Sequence, residues 1–252
     1  MSKKLFRRIF ICFFLICLAD FAIAVDSRLD EAISAYKKGN YNRAAGLYTA
    51  LAKEGHVVAQ YNLGLLYSDG FGVDQNFHES VSWYRKAAEQ GSAEAMHNLG
   101  HAFRTGEGVQ QNYEIAVHLF LKAANKGHTP AQYNLGVHYS NGQGVNKNFA
   151  RALYWYRLAA AQGYDKAQNN LGVAYDNGEG VSKDHKQATN YYRKAALQGN
   201  AMAQFNLGNQ YRIGEGVEKD GDQALLWYKK AAENGHLEAV VKLKEYEVGD
   251  EE

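Results

Sequence analysis

Beyond its first 24 residues the 252-residue chain contains no cysteine and only one proline, Pro130; Cys12 and Cys17 both fall within that leading segment. Disulfide staples are therefore excluded, and stability must come from packing alone. With so little proline, few positions forbid a helix interior. Excess charge is missing as well. Once the leading segment is set aside, 24 basic residues face 26 acidic ones, a net charge near −2. No dense basic stripe offsets that balance, so nucleic acid is not an expected partner. Also missing are Asn-x-Ser/Thr acceptor sites, despite many asparagines; this disfavours a eukaryotic secretory route.

The leading segment carries Lys3, Lys4, Arg7 and Arg8, then the apolar stretch Ile9 to Ala19, then Ala22-Ile23-Ala24. A basic start, a short apolar run and a small-residue site describe a secretory signal peptide over residues 1–24, cut after Ala24. The run is short for a bilayer span, and Asp20 interrupts its end. No stable membrane insertion is expected after cleavage. A lipid anchor does not fit either, because Ile11 and Ile16 precede the cysteines where a small residue is needed.

What the chain has in abundance is glycine, 25 residues, and aromatic residues at 13%. Their placement is periodic. The pair Leu-Gly returns every 36 residues, at Leu63-Gly64, Leu99-Gly100, Leu135-Gly136, Leu171-Gly172 and Leu207-Gly208. A fixed period of this length means one supersecondary unit copied and stacked into an array. Within residues 93–128, Ala95, Leu99 and Phe103 make one helical stripe, and Gly106-Glu107-Gly108-Val109 interrupts it. Ala116, Phe120 and Ala124 make a second stripe, which stops at Gly127. Each unit is predicted to be a helical hairpin in which glycine of the first helix lets an aromatic of the second approach.

The residues Ala131, Leu135, Gly136, Tyr139, Gly142, Gly144, Val145, Trp155, Tyr156, Ala159 and Ala160 trace the pattern A-x-x-x-L-G-x-x-Y-x-x-G-x-G-V, aromatic-Tyr, Ala-Ala. It resembles the Sel-one-like repeat family, a subtype of the tetratricopeptide repeat. Departures are Phe103 for tyrosine, and Leu119-Phe120 and Tyr191-Tyr192 for the Trp-Tyr pair. The resemblance implies an all-α fold, an alpha-alpha solenoid whose hairpins wind into a right-handed superhelix with first helices on the concave side. Five repeats are expected within residues 56–236, at 57–92, 93–128, 129–164, 165–200 and 201–236. Residues 25–55 read as an N-terminal tetratricopeptide-like capping hairpin with a shorter loop. Residues 237–252 read as a polar C-terminal capping helix, with Lys242, Lys244, Glu245 and Glu247, and an acidic tail.

Positions that vary between copies on the first helix are the ones free to read a ligand. One column holds Tyr61, His97, Tyr133, Asn169 and Phe205, of types enriched at interface hot spots. A second holds His101 and Asn209, and a third Arg104 and Arg212. A fourth is asparagine throughout: Asn62, Asn98, Asn134, Asn170 and Asn206. Amides can donate to and accept from an extended peptide backbone, but the same ladder also suits hydrogen bonds between hairpins, and both readings stay open.

Chemistry-bearing motifs are sparse. Ser34-Ala-Tyr-Lys37 matches the S-x-x-K signature of penicillin-recognising enzymes, yet no Lys-Thr-Gly follows. His97 and His101 stand one turn apart, but Asn98 occupies the place where a zinc protease carries glutamate, and no third ligand is evident. His56, His128 and His236 share one column and read as helix-start residues. The repeated Gly-x-Gly-Val is an interhelix turn, since no strand precedes it. Neither a metal nor a cofactor is expected. The reading is a non-enzymatic, monomeric, exported scaffold, periplasmic or secreted, that holds a protein or peptide in its groove. The resemblance implies such roles, with relatives among periplasmic regulators and host-entry factors. The competing reading is a cell-wall-directed or penicillin-binding hydrolase resting on Ser34 and Lys37.

Overall fold

The computed structural model describes residues 27–249, with side chains described through Lys244. The expected signal peptide, residues 1–24, and the last three residues of the acidic tail lie outside the described residues. Every described element is a helix: α1 (27–37), α2 (Tyr41–Lys53), α3 (Val57–Asp69), α4 (Phe77–Glu89), α5 (Ala93–Thr105), α6 (Tyr113–Asn125), α7 (Thr129–Asn141), α8 (Phe149–Ala161), α9 (Asp165–Asn177), α10 (His185–Leu197), α11 (Ala201–Ile213), α12 (Gly221–Glu233) and α13 (Leu237–Gly249). The architecture is an all-α helical-repeat solenoid. Two compact units divide it at Asn112/Tyr113, inside the turn of the second 36-residue copy.

The turns explain the thirteen-residue length shared by α3 to α12. At the end of α3, Gly70 adopts φ +72 and its N–H bonds to Leu66 O at 2.9 Å, a left-handed stop. Two residues on, Gly72 has φ +71, and a Cβ there would collide with the Tyr41 carbonyl of α2. Glycine is thus required twice over, by conformation and by close approach. Asn76, Asn148, Asp184 and Asp220 then restart the chain, each side chain accepting from a backbone N–H of the following first turn. His128 does the same through Nδ1 for the Ala131 N–H, and His236 for that of Ala239. All three histidines of the column precede a helix, but His56 heads α3 without a side-chain cap bond.

In the first unit, α1 and α2 share a core with α3 and α4: Ala32, Ala44, Tyr48, Leu51, Ala59, Leu63 and Trp83 are buried together. Arg28 donates to Glu54 through Nη1 and Nη2, at 2.8 and 2.6 Å, so the start of α1 is tied to the end of α2. In the second unit α7–α8, α9–α10 and α11–α12 form hairpins, and each packs on the next helix in order. Leu135, Leu171 and Leu207 are fully buried, each contributing about 1.5–3 kcal/mol by transfer from water. The end of the array departs from a fully polar cap. Ala239 of α13 is buried, but Leu237, Val240 and Val241 are exposed beside the charged residues.

Candidate functional site

The varying columns sit where consecutive hairpins meet. In the first unit the Tyr61 ring lies 6.0 Å from that of Tyr84, and Asn98 hydrogen-bonds to both phenols. One unit later the same set recurs as Tyr133, Tyr156 and Asn170, with the rings again 6.0 Å apart. Burial raises the pKa of all four tyrosines, pushing Tyr84 up to about 12, so the phenols are protonated at neutral pH. Asparagine is the fitting partner because one amide offers both a carbonyl and an NH2 to two hydroxyls.

The asparagine ladder is thus engaged inside the array. Asn62 donates to Val58 O at 2.9 Å, and Asn206 donates to Asn169 Oδ1 at 3.2 Å. Asn134 is half-buried. Asn169, grouped by sequence with the aromatic column, is buried at 3% exposure, its amide donating to Asn170. This corrects its placement on an accessible face: at 3% exposure, donating to Asn170 and accepting from Asn206, it presents no surface to a ligand. Phe205 stacks on His236 at 4.4 Å, and Asn209 accepts from the Tyr228 hydroxyl at 2.7 Å. Arg212 is exposed.

His97 donates from Nδ1 to Asn98 Oδ1 at 3.1 Å, whereas Arg104 donates to His101 Nε2 at 2.7 Å. Burial and then the Arg104 charge lower the pKa of His101. Among the described residues, this pair belongs to no cluster of three metal-ligating side chains. Two solvent-open cavities border these residues. Tyr61 and Asn62 line one of about 450 Å3 with Val58, Ser92 and Glu94; His97, Asn98 and His101 line another of about 260 Å3 with Leu65, Ser68 and Tyr84. Ser34 is half-buried and Lys37 exposed on the capping helix α1, near a cavity that Ser34 shares with Glu31, Lys38 and Arg43.

Sequence reasoning missed a column of buried amides. Gln60 donates to Ala52 O at 3.2 Å and accepts from Gln90 at 2.8 Å, which also donates to Gly55 O. Gln132 with Gln162, Gln168 with Gln198, and Gln204 with Asn234 repeat this clip. The signal was a Gln beside the buried alanine in four copies, with an amide thirty residues on. The copy at 93–128 lacks it, carrying Met96 and Lys126.

Stacked hairpins of two thirteen-residue helices, each pair joined by a double-glycine turn, define a helical-repeat protein of the tetratricopeptide type. The chain belongs to the Sel1 repeat family, whose model matches residues 57–92, 93–128, 129–164, 165–200 and 201–236. A Sel1 repeat protein from Oxalobacter formigenes is 38% identical, with 86% of each chain covered and a TM-score of 0.82. A protective antigen of uropathogenic Escherichia coli, displaying the same repeat fold, is 33% identical with a TM-score of 0.82; the match covers 91% of this chain and 50% of that one. No curated protein sequence matches. Sel1 repeats generally mediate protein–protein contacts, as scaffolds without enzymatic chemistry. Among the described residues, no helix is long and apolar enough to cross a membrane.

Proposed function

We propose that this protein is an exported scaffold that holds a protein or peptide against the first-helix positions that differ between repeats. The observation that carries the reading is a division of labour within each first helix. Residues common to the copies, such as Ala59, Leu63, Ala131 and Leu135, are fully buried. Tyr61, His97 and His101, which differ between copies, are instead half-buried and line solvent-open cavities, as does Asn62 of the invariant asparagine column. Half-exposed aromatic rings held by a second ring and an amide offer contact area at little entropic cost. Their variation from copy to copy supplies a different surface at each step.

The basic and apolar leading segment ending at Ala24 supports the export part of the reading, with the periplasm or the outside of the cell as the destination. Both parts are open to one experiment. The full chain is expressed with a photo-crosslinking residue at His101 or, as a control, at exposed Lys122, and the exported fraction is analysed by mass spectrometry. A product starting at Val25 that crosslinks one defined protein from position 101 and not from 122 is expected. Retention of the first 24 residues overturns export, and equal crosslinking from both positions overturns the groove.

A further inference from the structure

The cavities between hairpins recur in register. The one bordered by Ser68, Phe77, Val81, Tyr84 and Glu107 in the first unit returns 72 residues later, bordered by Ser140, Phe149, Leu153, Tyr156 and Glu179. Their volumes are about 260 and 180 Å3. One step of 36 residues further on, the same places are taken by Asp176, His185, Thr189, Tyr192 and Glu215. An aromatic has become histidine, a branched aliphatic has become threonine, and a serine has become aspartate. The position held by Leu66, Ala102 and Ala174, and by a buried His138 in the third copy, is Gln210. The Asp176 column is polar in every copy and the Glu215 column carries Glu107, Gln143 and Glu179 elsewhere. What sets this junction apart is His185 where other copies carry Phe77, Tyr113 and Phe149, and Thr189 where they carry Val81, Val117 and Leu153. Apolar side chains serve the fold at those two places in the other copies.

These side chains converge. His185 Nδ1 lies 2.6 Å from Asp176 Oδ1 and 3.6 Å from Glu215 Oε2, and one donor atom from each of the three residues lies within 4.8 Å of the others. Gln210 is buried at 2% exposure with its carboxamide in the cluster: Nε2 donates to Asp176 Oδ1 at 2.9 Å. Its Oε1 is buried with no hydrogen-bond donor, an arrangement folded proteins avoid unless another group satisfies the atom. Tyr192 donates to the second carboxylate oxygen of Asp176 at 3.4 Å, and Thr189 donates to the backbone carbonyls of His185 and Glu215. Both sides of the cluster are therefore held, while the Glu215 side chain stays about half exposed toward solvent.

The geometry points to a binding site for one divalent transition-metal ion of the zinc type, ligated by His185 Nδ1, Asp176 and Glu215, with Gln210 beside them. An imidazole nitrogen with two carboxylates is a donor set for zinc, manganese or nickel rather than for calcium or magnesium. Zinc at about 2.1 Å from each donor holds neighbouring donors about 3.4 Å apart. The His185–Glu215 spacing already suits that, and the His185–Asp176 pair needs to open by less than about 1 Å. Rotation of the Gln210 amide brings Oε1 toward the ion. Alternatively its Nε2 keeps Asp176 oriented, as outer hydrogen bonds to metal ligands do.

The test uses the untagged chain starting at Val25, metal-stripped and titrated calorimetrically with zinc chloride. Two variants take residues from the protein's own other repeats, His185→Phe and Asp176→Ser, and so are compatible with the fold; circular dichroism confirms it. One zinc per chain is expected, with affinity reduced at least about 100-fold in His185→Phe and about 10-fold or more in Asp176→Ser. Added zinc should also raise the unfolding midpoint of the parent and leave that of His185→Phe unchanged. A double variant His97→Ala/His101→Ala retains full binding. No saturable binding up to about 100 μM zinc, unchanged affinity in folded His185→Phe, or loss of binding in the 97/101 double variant each overturns the proposal.

Discussion

A Cβ placed on Gly64 would stand 2.6 Å from Cε1 of Tyr84, closer than two carbons can pack. The glycine of α3 is thus the seat of the tyrosine of α4. The relationship recurs at Gly136 with Tyr156, and at 2.5 Å for Gly172 with Tyr192 and 2.7 Å for Gly208 with Tyr228. Each tyrosine seated this way also meets a group from its own first helix or the next one: Asn98 for Tyr84, Asn170 for Tyr156, Asp176 for Tyr192 and Asn209 for Tyr228. One missing side chain therefore positions both the hairpin and the seam.

Gly136→Leu should destabilise the protein by about 1–3 kcal/mol, because the leucine must displace the Tyr156 ring from a packed site. Urea unfolding followed by circular dichroism reads the effect. An unchanged midpoint and slope would show that the ring yields freely and that the glycine column is not a packing constraint.

The amide clip makes a separate prediction. Gln132→Met removes the 2.8 Å acceptor of Gln162 Nε2 and one donor to the Ala124 carbonyl, which keeps the Gly127 N–H, at a cost of about 1–2 kcal/mol. The pair Met96 and Lys126 shows what the array accepts instead. In a cycle with Gln162→Lys, the double variant should lose less than the sum of the singles, by about 0.5 kcal/mol or more. Strict additivity would mean the two amides do not act as a unit.

His101 supplies a pH dependence of known sign. Its folded pKa is lowered by burial and by Arg104, so the unfolded chain binds its proton more readily. The associated stability is complete above the ordinary imidazole value near 6.5 and is lost as pH falls below it toward the folded value. Proton NMR should place the His101 midpoint below about 6.5, and His101→Asn, the residue at position 209 in the last repeat, should flatten stability over that window. A midpoint at or above 6.5 would remove the proposed role of Arg104 in keeping this imidazole neutral.

Much of the fold was legible because its determinants are local. The Leu-Gly beat, the alanine stripes and the paired turn glycines act within about 36 residues, and each has a backbone reason that any copy reveals. The site was legible only in outline. Tyr61, Tyr133 and Asn98 were picked out as variable or repeated positions, yet whether an asparagine faces a ligand or two phenols depends on how one hairpin lies against the next. Asn169 shows this most clearly, being in a column with exposed-type residues and yet buried. Gln60 and Gln90, thirty residues apart, show it too, since neither lies on a recognisable motif.

The sequence by itself determined the helical hairpin, its period and its seams, because glycine, alanine and aromatic residues at helical spacing admit one packing solution. Only the tertiary structure decided what occupies each seam. Asp176, His185 and Glu215 span 39 positions in the chain, and their donor atoms meet within 4.8 Å. Stacking one hairpin on the next sets that distance, and no local preference of any of the three residues encodes it.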